Sequence, residues 1–398
     1  WKAVRYFADI DGPVFPMDLP LDSLRSGPVH LNLQFDEPLL ADDSTDWLSE
    51  VVVAPRNFVT RRKPGTLRLV GARGVVVIGH DRAGLSVDEI TKFTKVLGWP
   101  VVAEDPLSFP DAMAHASIFL ASQEIRSTLI PQSVLVIGRT TLSRSINTFI
   151  KSSPIHYVVD PRMETVDTYR QADRKFTELP ELQGVIHSDD WIATWRKVSE
   201  RTSKLISSLS GWNEQNIART LAAVIPDGAG LFISSSRPIR DIEGFASPRA
   251  GLNVFANRGL AGIDGNISTA LGIAYAHNST VAVLGDLSFL HDLTGLINKE
   301  SINCRFVVIN NDGGGIFSTL SQRGVDGFES VFGTPHGLNP AAIAKSMGID
   351  AREISSLAEL EDVMREPITG ISVVVCNVPN RESNADNLKS IYDSLDSM

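Results

Sequence analysis

Two polar stretches, each placed directly after a buried apolar run, contain the residue types that could hold a metal ion. Asp286 follows the apolar run 281–284, and Asn311 follows the run 306–309. Because the carboxyl ends of parallel strands meet at one edge of a sheet, where ligands bind, we expect the two side chains to lie close together. A carboxylate and an amide oxygen suit a hard cation such as Mg²⁺, which usually keeps substrate phosphates in its remaining positions.

Glycines after the second stretch strengthen this prediction. Gly313, Gly314 and Gly315 follow Asn311 and would expose backbone N–H and C=O groups to a phosphate or to the metal. Each stretch also fits a simpler interpretation, because Asn-Asp-Gly is common in plain turns and Asp286 could cap a helix. Taken singly, each stretch fits the simpler interpretation better. Taken together, at two strand ends 25 positions apart, they favour a metal and diphosphate site.

Composition narrows the class of protein. The 398 residues carry a net charge of −10, with 43% hydrophobic and 21% charged residues. These values are typical of a globular protein of two or three domains and exclude collagen-like, coiled-coil and disordered chains. No window approaches the roughly 18 consecutive apolar residues of a membrane span, and the basic residues form no stripe. We therefore expect neither a membrane span nor nucleic-acid binding.

The two cysteines indicate the compartment. Cys304 and Cys376 each lie beside a β-like apolar run and are too few for a disulfide framework. We expect both to be buried as small hydrophobic side chains. This usage favours a reducing, intracellular compartment.

Short β-branched runs alternate with helical patterns from residue 65 onward, which predicts parallel βαβ architecture. In a first α/β region we predict helices over 86–97 and 112–122 and strands over 74–79, 99–104, 133–138 and 155–160. The last of these strands closes the predicted set. A second α/β region begins with the amphipathic stretch 190–210 and contains strands over 230–234, 252–256, 281–284, 305–309 and 371–375.

The two polar stretches also support a family resemblance. The spacing from Gly285-Asp286 to Asn310-Asn311 resembles the cofactor motif of thiamine-diphosphate enzymes, whose general pattern has a glycine where this chain has Leu287. With that departure, residues 285–296 resemble the SEPHCHC synthase (MenD) family of menaquinone and phylloquinone biosynthesis, which includes a part of a plant fusion protein. The stretches 257–265, 310–318 and 27–39 are similar to further motifs of the same family.

The resemblance implies the thiamine-diphosphate-binding fold, an α/β architecture with two doubly wound parallel-sheet domains. Residues 1–40 are similar to the tail of the family's pyrimidine-binding domain and its linker, 41–189 to its central domain, and 190–398 to its diphosphate- and Mg²⁺-binding domain. Family members use thiamine diphosphate and Mg²⁺ (or Mn²⁺) to decarboxylate 2-oxoglutarate and add the succinyl unit to isochorismate. We therefore expect a transferase acting on these two substrates.

Cofactor roles follow from the same resemblance, position by position. The implied metal ligands are Asp286, Asn311 and the carbonyl of Gly313. The implied cofactor-binding residues are Gly285, Asp286, Leu287, Ser288, Asn311, Gly313 and Ile316. The expected catalytic residues are Ile263, which matches the bulky residue that holds the cofactor bent, and Phe317 and Leu320, which match apolar wall residues near the acceptor.

We assign substrate binding to basic side chains. Both substrates are multiply anionic and the protein as a whole is acidic, so the attraction must come from local positive charges. Arginine suits this task because its planar fork grips a carboxylate with two hydrogen bonds. Arg240 and Arg258 match the family's substrate-binding arginines, and Ser236 matches a neighbouring serine. Arg144 matches a basic position that reaches isochorismate from the central domain, with Arg139 as a competing match.

The resemblance also implies partners and a missing part. We expect a homodimer or homotetramer whose active site forms between subunits, in the cytoplasm of a bacterium or in the plastid stroma for a plant enzyme. The chain starts after the domain that supplies the activating glutamate, so we expect the 398-residue chain alone to be catalytically silent. Two alternatives remain open, namely another thiamine-diphosphate carboligase of the acetolactate-synthase type and a non-catalytic fragment that retains the fold.

Overall fold

Among the described residues of a computed structural model, the strands form two main parallel sheets and one short parallel pair. The structure describes residues 64–69, 71–161, 172–277, 279–297 and 301–396. The predictions for the tail 1–40 and for the motif at 27–39 lie outside these residues.

The first sheet is built from the first half of the described chain. The strands here are β1 (Thr66–Arg68), β2 (Gly74–Ile78), β3 (Val101–Ala103), β4 (Ser133–Ile137), β5 (His156–Val159), β6 (Arg174–Phe176) and β7 (Glu181–Gln183). β1 and β7 pair with each other, and the sheet itself has the order β3-β2-β4-β5-β6, with every pairing parallel. The four predicted strands are confirmed, but β5 does not close the set, because the short and largely exposed β6 pairs beyond it.

The predicted helix over 112–122 is wrong in its extent. The helices are α1 (Val87–Leu97), which confirms the prediction there, and then α2 (Ala116–Phe119) and α3 (Gln123–Thr128). Helix α2 starts late because His115 adopts a left-handed conformation (φ 61°) and its ring bonds the carbonyl of Gly244 at 2.8 Å. The backbone N–H of Met113 donates to Val101 O instead of joining a helix. Ser122 then caps α3, which separates it from α2.

Helix α5 (Asp189–Ser207), which follows α4 (Arg144–Ser152), confirms the predicted amphipathic helix. Its buried face carries Trp191 and Trp195, which belong to the apolar core on one face of the first sheet. Trp195 meets the rings of Phe119 and Phe149 edge to face at 5.8 and 5.5 Å. This helix therefore packs its tryptophans against the first sheet, and the domain boundary at 189/190 stays a prediction.

The second sheet has six parallel strands, in the order β12-β13-β11-β10-β8-β9 once the strands are numbered along the chain. They are β8 (Gly230–Ile233), β9 (Asn253–Phe255), β10 (Thr280–Gly285), β11 (Cys304–Asn310), β12 (Asp350–Ile354) and β13 (Ile371–Asn377). Five of them were predicted. The edge strand β12 was not, because its sequence DAREI is mostly polar and lacks a continuous apolar run.

Helices cover both faces of this sheet, as a doubly wound fold requires. They are α6 (Glu214–Val224), α7 (Arg237–Phe245), α8 (Asn266–Ala276), α9 (Asp286–His291), α10 (Pro340–Ser346) and α11 (Leu357–Arg365). The helix α12 (Arg381–Asp396) packs instead with residues of α2, α5 and α7. Alternate residues of β10 face opposite cores: Val281 and Val283 pack with α6, α7 and α11, whereas Ala282 and Leu284 pack with α8, α9 and α10.

Two further expectations concern the cysteines and the membrane. Cys304 and Cys376 are buried free thiols, as predicted, and burial raises the pKa of both. Across the described ranges, each helix is too short or too polar to cross a bilayer.

Candidate active site

The two predicted metal ligands lie at neighbouring strand ends, as expected. β10 and β11 pair in parallel, with Gly285 opposite Ile309. Asp286 then opens helix α9, and Asn311 begins the glycine-rich turn after β11. Both side chains are buried, at 2% and 7% exposure.

The carboxylate of Asp286 is held by three donors. Its Oδ1 accepts the backbone N–H of Leu287 at 2.7 Å, and its Oδ2 accepts that of Gly313 at 2.8 Å. His336 Nε2 lies 3.3 Å from the same Oδ2. Burial raises the pKa of the Asp286 carboxyl, while these three contacts act to lower it. The carboxylate therefore sits at a fixed position between the two strand ends.

Asn311 has an amide with one partnered and one unpartnered end. Its Nδ2 donates to Glu214 Oε1 at 2.5 Å, whereas its buried Oδ1 has no hydrogen-bond partner among the described residues. Buried acceptors are seldom left in this state, so each instance calls for an explanation such as a ligand. An oxygen of this kind beside a buried carboxylate fits the donor set of a hard divalent cation.

The glycines of the turn are required because backbone and side-chain atoms lie too close to them for a Cβ. Gly313 has φ +131°, and a Cβ there would lie 2.2 Å from the carbonyl oxygen of Gly333. A Cβ on Gly315 would lie 2.4 Å from Asn311 Nδ2. The carbonyl of Gly313 accepts the N–H of Gly315 at 2.9 Å, which leaves it a second lone pair. Its role as a metal ligand stays a prediction.

Ser288 joins α9 to the turn that contains Ile263. Its Oγ donates to the carbonyl of Ile263 at 3.0 Å and accepts from Asn266 Nδ2 at 2.7 Å. Ile263 is half-buried and belongs to none of the apolar cores that the described residues form. Leu287, the residue that departs from the general cofactor motif, is half-buried on the first turn of α9. An apolar side chain outside the core fits a contact with a ligand.

A cavity of about 350 Å³ brings several predicted residues together. Arg144, Arg240, Ile316 and Leu320 all line it. Arg237 and Glu243 of α7 also line it. The cavity thus combines guanidinium groups from two helices, α4 and α7, with apolar side chains of the segment after β11.

Arg258 and Ser236 lie close to this cavity but are not among its lining residues. The guanidinium of Arg258 donates to Thr141 O at 2.7 Å, to Thr141 Oγ1 at 3.2 Å and to Ser235 Oγ at 3.3 Å. Ser236 precedes α7 with φ 76° and ψ −128°, and its carbonyl accepts from Arg240 Nη1 at 2.6 Å. Burial, and then the nearby charge of Arg237, lowers the pKa of Arg240. Burial, and then the nearby charge of Arg240, lowers the pKa of Arg258.

The remaining predicted residues occupy other places around the site. Arg139 donates to the backbone carbonyl of Arg258 at 3.3 Å and pairs with Asp81 at 3.4 Å, so it lies beside Arg258 whereas Arg144 lines the cavity. Phe317 opens a short 3₁₀ turn, and its ring packs against that of Phe332 at 5.4 Å. The functional roles of all these residues stay predictions.

Two buried acids at the site escaped the sequence prediction. Glu214 contacts Asn311, and Glu243 lines the cavity with an Oε1 that has no partner in the described part of the chain. Burial, with the nearby charge of Glu104, raises the pKa of Glu243 well above its usual value. Both lie on helices whose sequences are polar enough to suggest a solvated face, so no local pattern distinguishes them.

Comparison with known proteins identifies the relatives of this chain. It is 32% identical over 407 residues to the 2-succinyl-5-enolpyruvyl-6-hydroxy-3-cyclohexene-1-carboxylate (SEPHCHC) synthase of Bacillus cytotoxicus, across 92% of this chain and 69% of that protein. It is 34% identical over 394 residues to the same synthase of Thermobifida fusca, across 90% of this chain and 71% of that protein. The chain belongs to the SEPHCHC synthase family.

Domain-level matches agree with the SEPHCHC synthase assignment. The family described as the middle domain of thiamine pyrophosphate enzymes matches residues 41–233, and that described as the C-terminal TPP-binding domain matches residues 242–378. Among solved structures, benzoylformate decarboxylase from Polynucleobacter necessarius shares the fold, with a TM-score of 0.53 and 15% identity over 77% of this chain and 62% of that one. The predicted family, fold and thiamine-diphosphate cofactor are confirmed.

Proposed function

We propose that this chain is a SEPHCHC synthase, which uses thiamine diphosphate and Mg²⁺ to join a succinyl unit from 2-oxoglutarate to isochorismate. The product is 2-succinyl-5-enolpyruvyl-6-hydroxy-3-cyclohexene-1-carboxylate. One observation carries the proposal: a buried carboxylate, Asp286, and a buried, unpartnered amide oxygen, Asn311 Oδ1, follow neighbouring strands of the domain matched to TPP-binding proteins.

The metal and the diphosphate belong at this sheet edge in the proposal. Asp286 would supply the charged ligand, with Asn311 Oδ1 and the carbonyl of Gly313 as neutral ligands. Mn²⁺ takes similar oxygen ligands and would serve in place of Mg²⁺. Leu287, Ser288 and the remaining matched residues, Gly285 and Ile316, would surround the cofactor.

Arginines supply the charge that the substrates need. The net charge of −10 disfavours anionic substrates overall, so attraction must be local. Arg144 and Arg240 line one cavity, and Arg258 lies beside it. We assign these three guanidiniums, with Ser236, to the carboxylates of 2-oxoglutarate and isochorismate.

Thiamine diphosphate supplies, when bound, an electron sink for the decarboxylation. The residues of this chain then have three tasks. Asp286 and Asn311 fix the charged end of the cofactor, and Ile263 offers an apolar surface that would hold the cofactor bent. Phe317 and Leu320 present an apolar wall that excludes water from the side where the acceptor binds.

Assembly and location complete the proposal. The expected homodimer or homotetramer and the expected intracellular location, in cytoplasm or plastid stroma, are carried from the sequence resemblance. A size measurement in solution checks the first, and cell fractionation checks the second.

A product assay tests the proposed reaction. Because we expect the 398-residue chain alone to be silent, the assay uses the native protein purified from its source. It is incubated with thiamine diphosphate, Mg²⁺, isochorismate and either 2-oxoglutarate or pyruvate. We expect a succinyl adduct of isochorismate, detected by mass spectrometry, that disappears when isochorismate or metal is left out. Acetolactate formed from pyruvate would instead favour the acetolactate-synthase type of carboligase. Binding of the cofactor without any product would favour a fragment that retains only the fold.

A further inference from the structure

The orientation of the Asn311 amide is set by one side chain from a distant part of the sequence. Glu214 opens helix α6 and is buried, and its Oε1 accepts from Asn311 Nδ2 at 2.5 Å. A carboxylate has only acceptor oxygens, so the amide must turn its NH₂ group toward Glu214. The opposite end of the amide, Oδ1, is the atom that has no partner among the described residues.

Glu214 is in turn held by a donor on its other side. Arg237 Nε lies 3.7 Å from Glu214 Oε2, and the guanidinium of Arg237 also bonds Asp241. Asn384 Oδ1 accepts the backbone N–H of Glu214 at 3.3 Å. Because a guanidinium can only donate, one oxygen of Glu214 faces Arg237 and the other is left for Asn311.

We propose that Glu214 is a positioning residue of the metal centre, which holds the Asn311 amide so that Oδ1 faces the cation. This inference rests on the proposed role of Asn311 as a metal ligand. Rotating an amide by half a turn changes its shape very little but exchanges an acceptor for a donor. Without a fixed acceptor at Nδ2, the NH₂ group could face the cation and repel it. Partners of metal ligands in other proteins act in this way.

Glu214→Gln is the sharpest variant, because it keeps the size of the side chain. The glutamine oxygen should face the donor Arg237, which turns the glutamine NH₂ toward Asn311. Asn311 must then present Oδ1 to the glutamine and its NH₂ to the cation. Loss of such a partner typically costs about 10- to 100-fold in metal affinity, and we expect a loss of that size.

The double variant Glu214→Gln, Asn311→Asp should reverse the loss. An aspartate at 311 has two equivalent acceptor oxygens, so one can accept from the glutamine while the other faces the cation. We expect Mn²⁺ affinity to return close to that of the unmodified chain. A glutamate that acted only by supporting the fold would not be rescued by a change at Asn311.

Mn²⁺ binding, measured by electron paramagnetic resonance with saturating thiamine diphosphate, gives a readout independent of turnover. Glu124→Gln is the control, because it makes the same exchange of a carboxylate for an amide at an exposed glutamate outside the site, and it should bind Mn²⁺ normally. Unchanged affinity in Glu214→Gln, or no recovery in the double variant, would overturn the inference. Unchanged affinity in Asp286→Ala would overturn the proposed metal site itself, which separates the two failures. Melting curves without metal should agree within a few degrees for the single variant Glu214→Gln and the double variant.

Discussion

Arg240 and Arg258 are matched to the same task by sequence, but their contacts in the structure differ. Arg240 lines the cavity, and its guanidinium donates to the carbonyl of Ser236 one helical turn away. Arg258 is 7% exposed and makes three hydrogen bonds to Thr141 and Ser235. The first side chain is therefore freer to bind a ligand than the second.

Alanine substitution at each position should separate a role in substrate binding from a role in stability. We expect Arg240→Ala to raise the KM for an anionic substrate by about ten- to a hundredfold with little change in melting temperature, because a charged hydrogen bond contributes about 1.5–3 kcal/mol. Arg258→Ala should lower both affinity and melting temperature. Steady-state kinetics and thermal melting check this, with the exposed Arg365→Ala as control. An unchanged melting temperature for Arg258→Ala would show that its bonds to Thr141 do not support the fold.

The buried carboxyl of Glu243 should make the stability of the protein depend on pH. Because burial raises its pKa in the folded state, the neutral carboxyl is favoured there, and ionisation at higher pH costs stability. The cost is absent below the ordinary pKa of a glutamate and grows as the pH rises toward the folded-state pKa. Glu243→Gln should therefore raise the melting temperature at about pH 7.5 and leave it unchanged at about pH 4. A lower melting temperature at the higher pH would mean that the ionised carboxylate stabilises its neighbours Arg240 and Arg258.

The residues that sequence predicted and those that it missed differ in one respect. Asp286 and Asn311 directly follow long apolar strands. A local sequence pattern therefore predicts where each side chain lies and that the two are neighbours. Glu214 lies 97 positions from Asn311 and Glu243 sits on a polar helix. Their burial depends on how α6 and α7 pack, and no local spacing encodes that packing.

At the scale of elements, the same distinction separates correct from incorrect predictions. Continuous apolar runs predicted β2, β4, β10 and β11, because a strand buried on both faces has no polar side. The edge strand β12 and the short β6 have exposed positions and no such run. The late start of α2 arises from the tertiary contact of His115 with Gly244, which periodicity cannot reveal.

The glycine turn after β11 provides a test at this scale. Gly315→Ala places a Cβ 2.4 Å from Asn311 Nδ2, so the amide must move and its bond to Glu214 must weaken. We expect unfolding free energy to fall by about 1–3 kcal/mol, as for other overpacked sites, and Mn²⁺ affinity to fall with it.

Chemical denaturation and Mn²⁺ titration measure the two effects of Gly315→Ala. Gly272→Ala is the control, because a Cβ there meets no atom within 4 Å and alanine suits the helix interior. Normal Mn²⁺ affinity in Gly315→Ala would show that the turn tolerates displacement of the amide.

At the scale of the whole molecule, one loop of the first α/β region contacts the second. Glu104, at the end of β3, is buried and accepts backbone N–H groups of His80, Thr141 and Leu142 at 2.8–2.9 Å. Thr141 in turn accepts from Arg258. A single carboxylate therefore shapes the loop to which a predicted substrate-binding arginine is anchored.

Glu104→Gln should weaken this connection. The NH₂ group of glutamine would face backbone N–H donors, and leaving such donors unpaired costs about 1–3 kcal/mol each. We expect lower stability in urea together with a higher KM for an anionic substrate, because the loop that holds Arg258 is less well fixed. The exposed Glu124→Gln should change neither quantity. Reduced stability with an unchanged KM would show that the loop does not position Arg258 for binding.

Ser236 carries a consequence for protein engineering. Its φ of 76° and ψ of −128° are unusual for a residue with a side chain, and such a conformation costs about 1–3 kcal/mol. A search that ranks substitutions by thermostability alone would choose glycine at this position, because glycine adopts that backbone freely. The same choice would remove the hydroxyl assigned to the substrate. Selection for thermostability should therefore favour glycine at residue 236, whereas selection for turnover should favour serine. Variants selected for one property should be measured for the other.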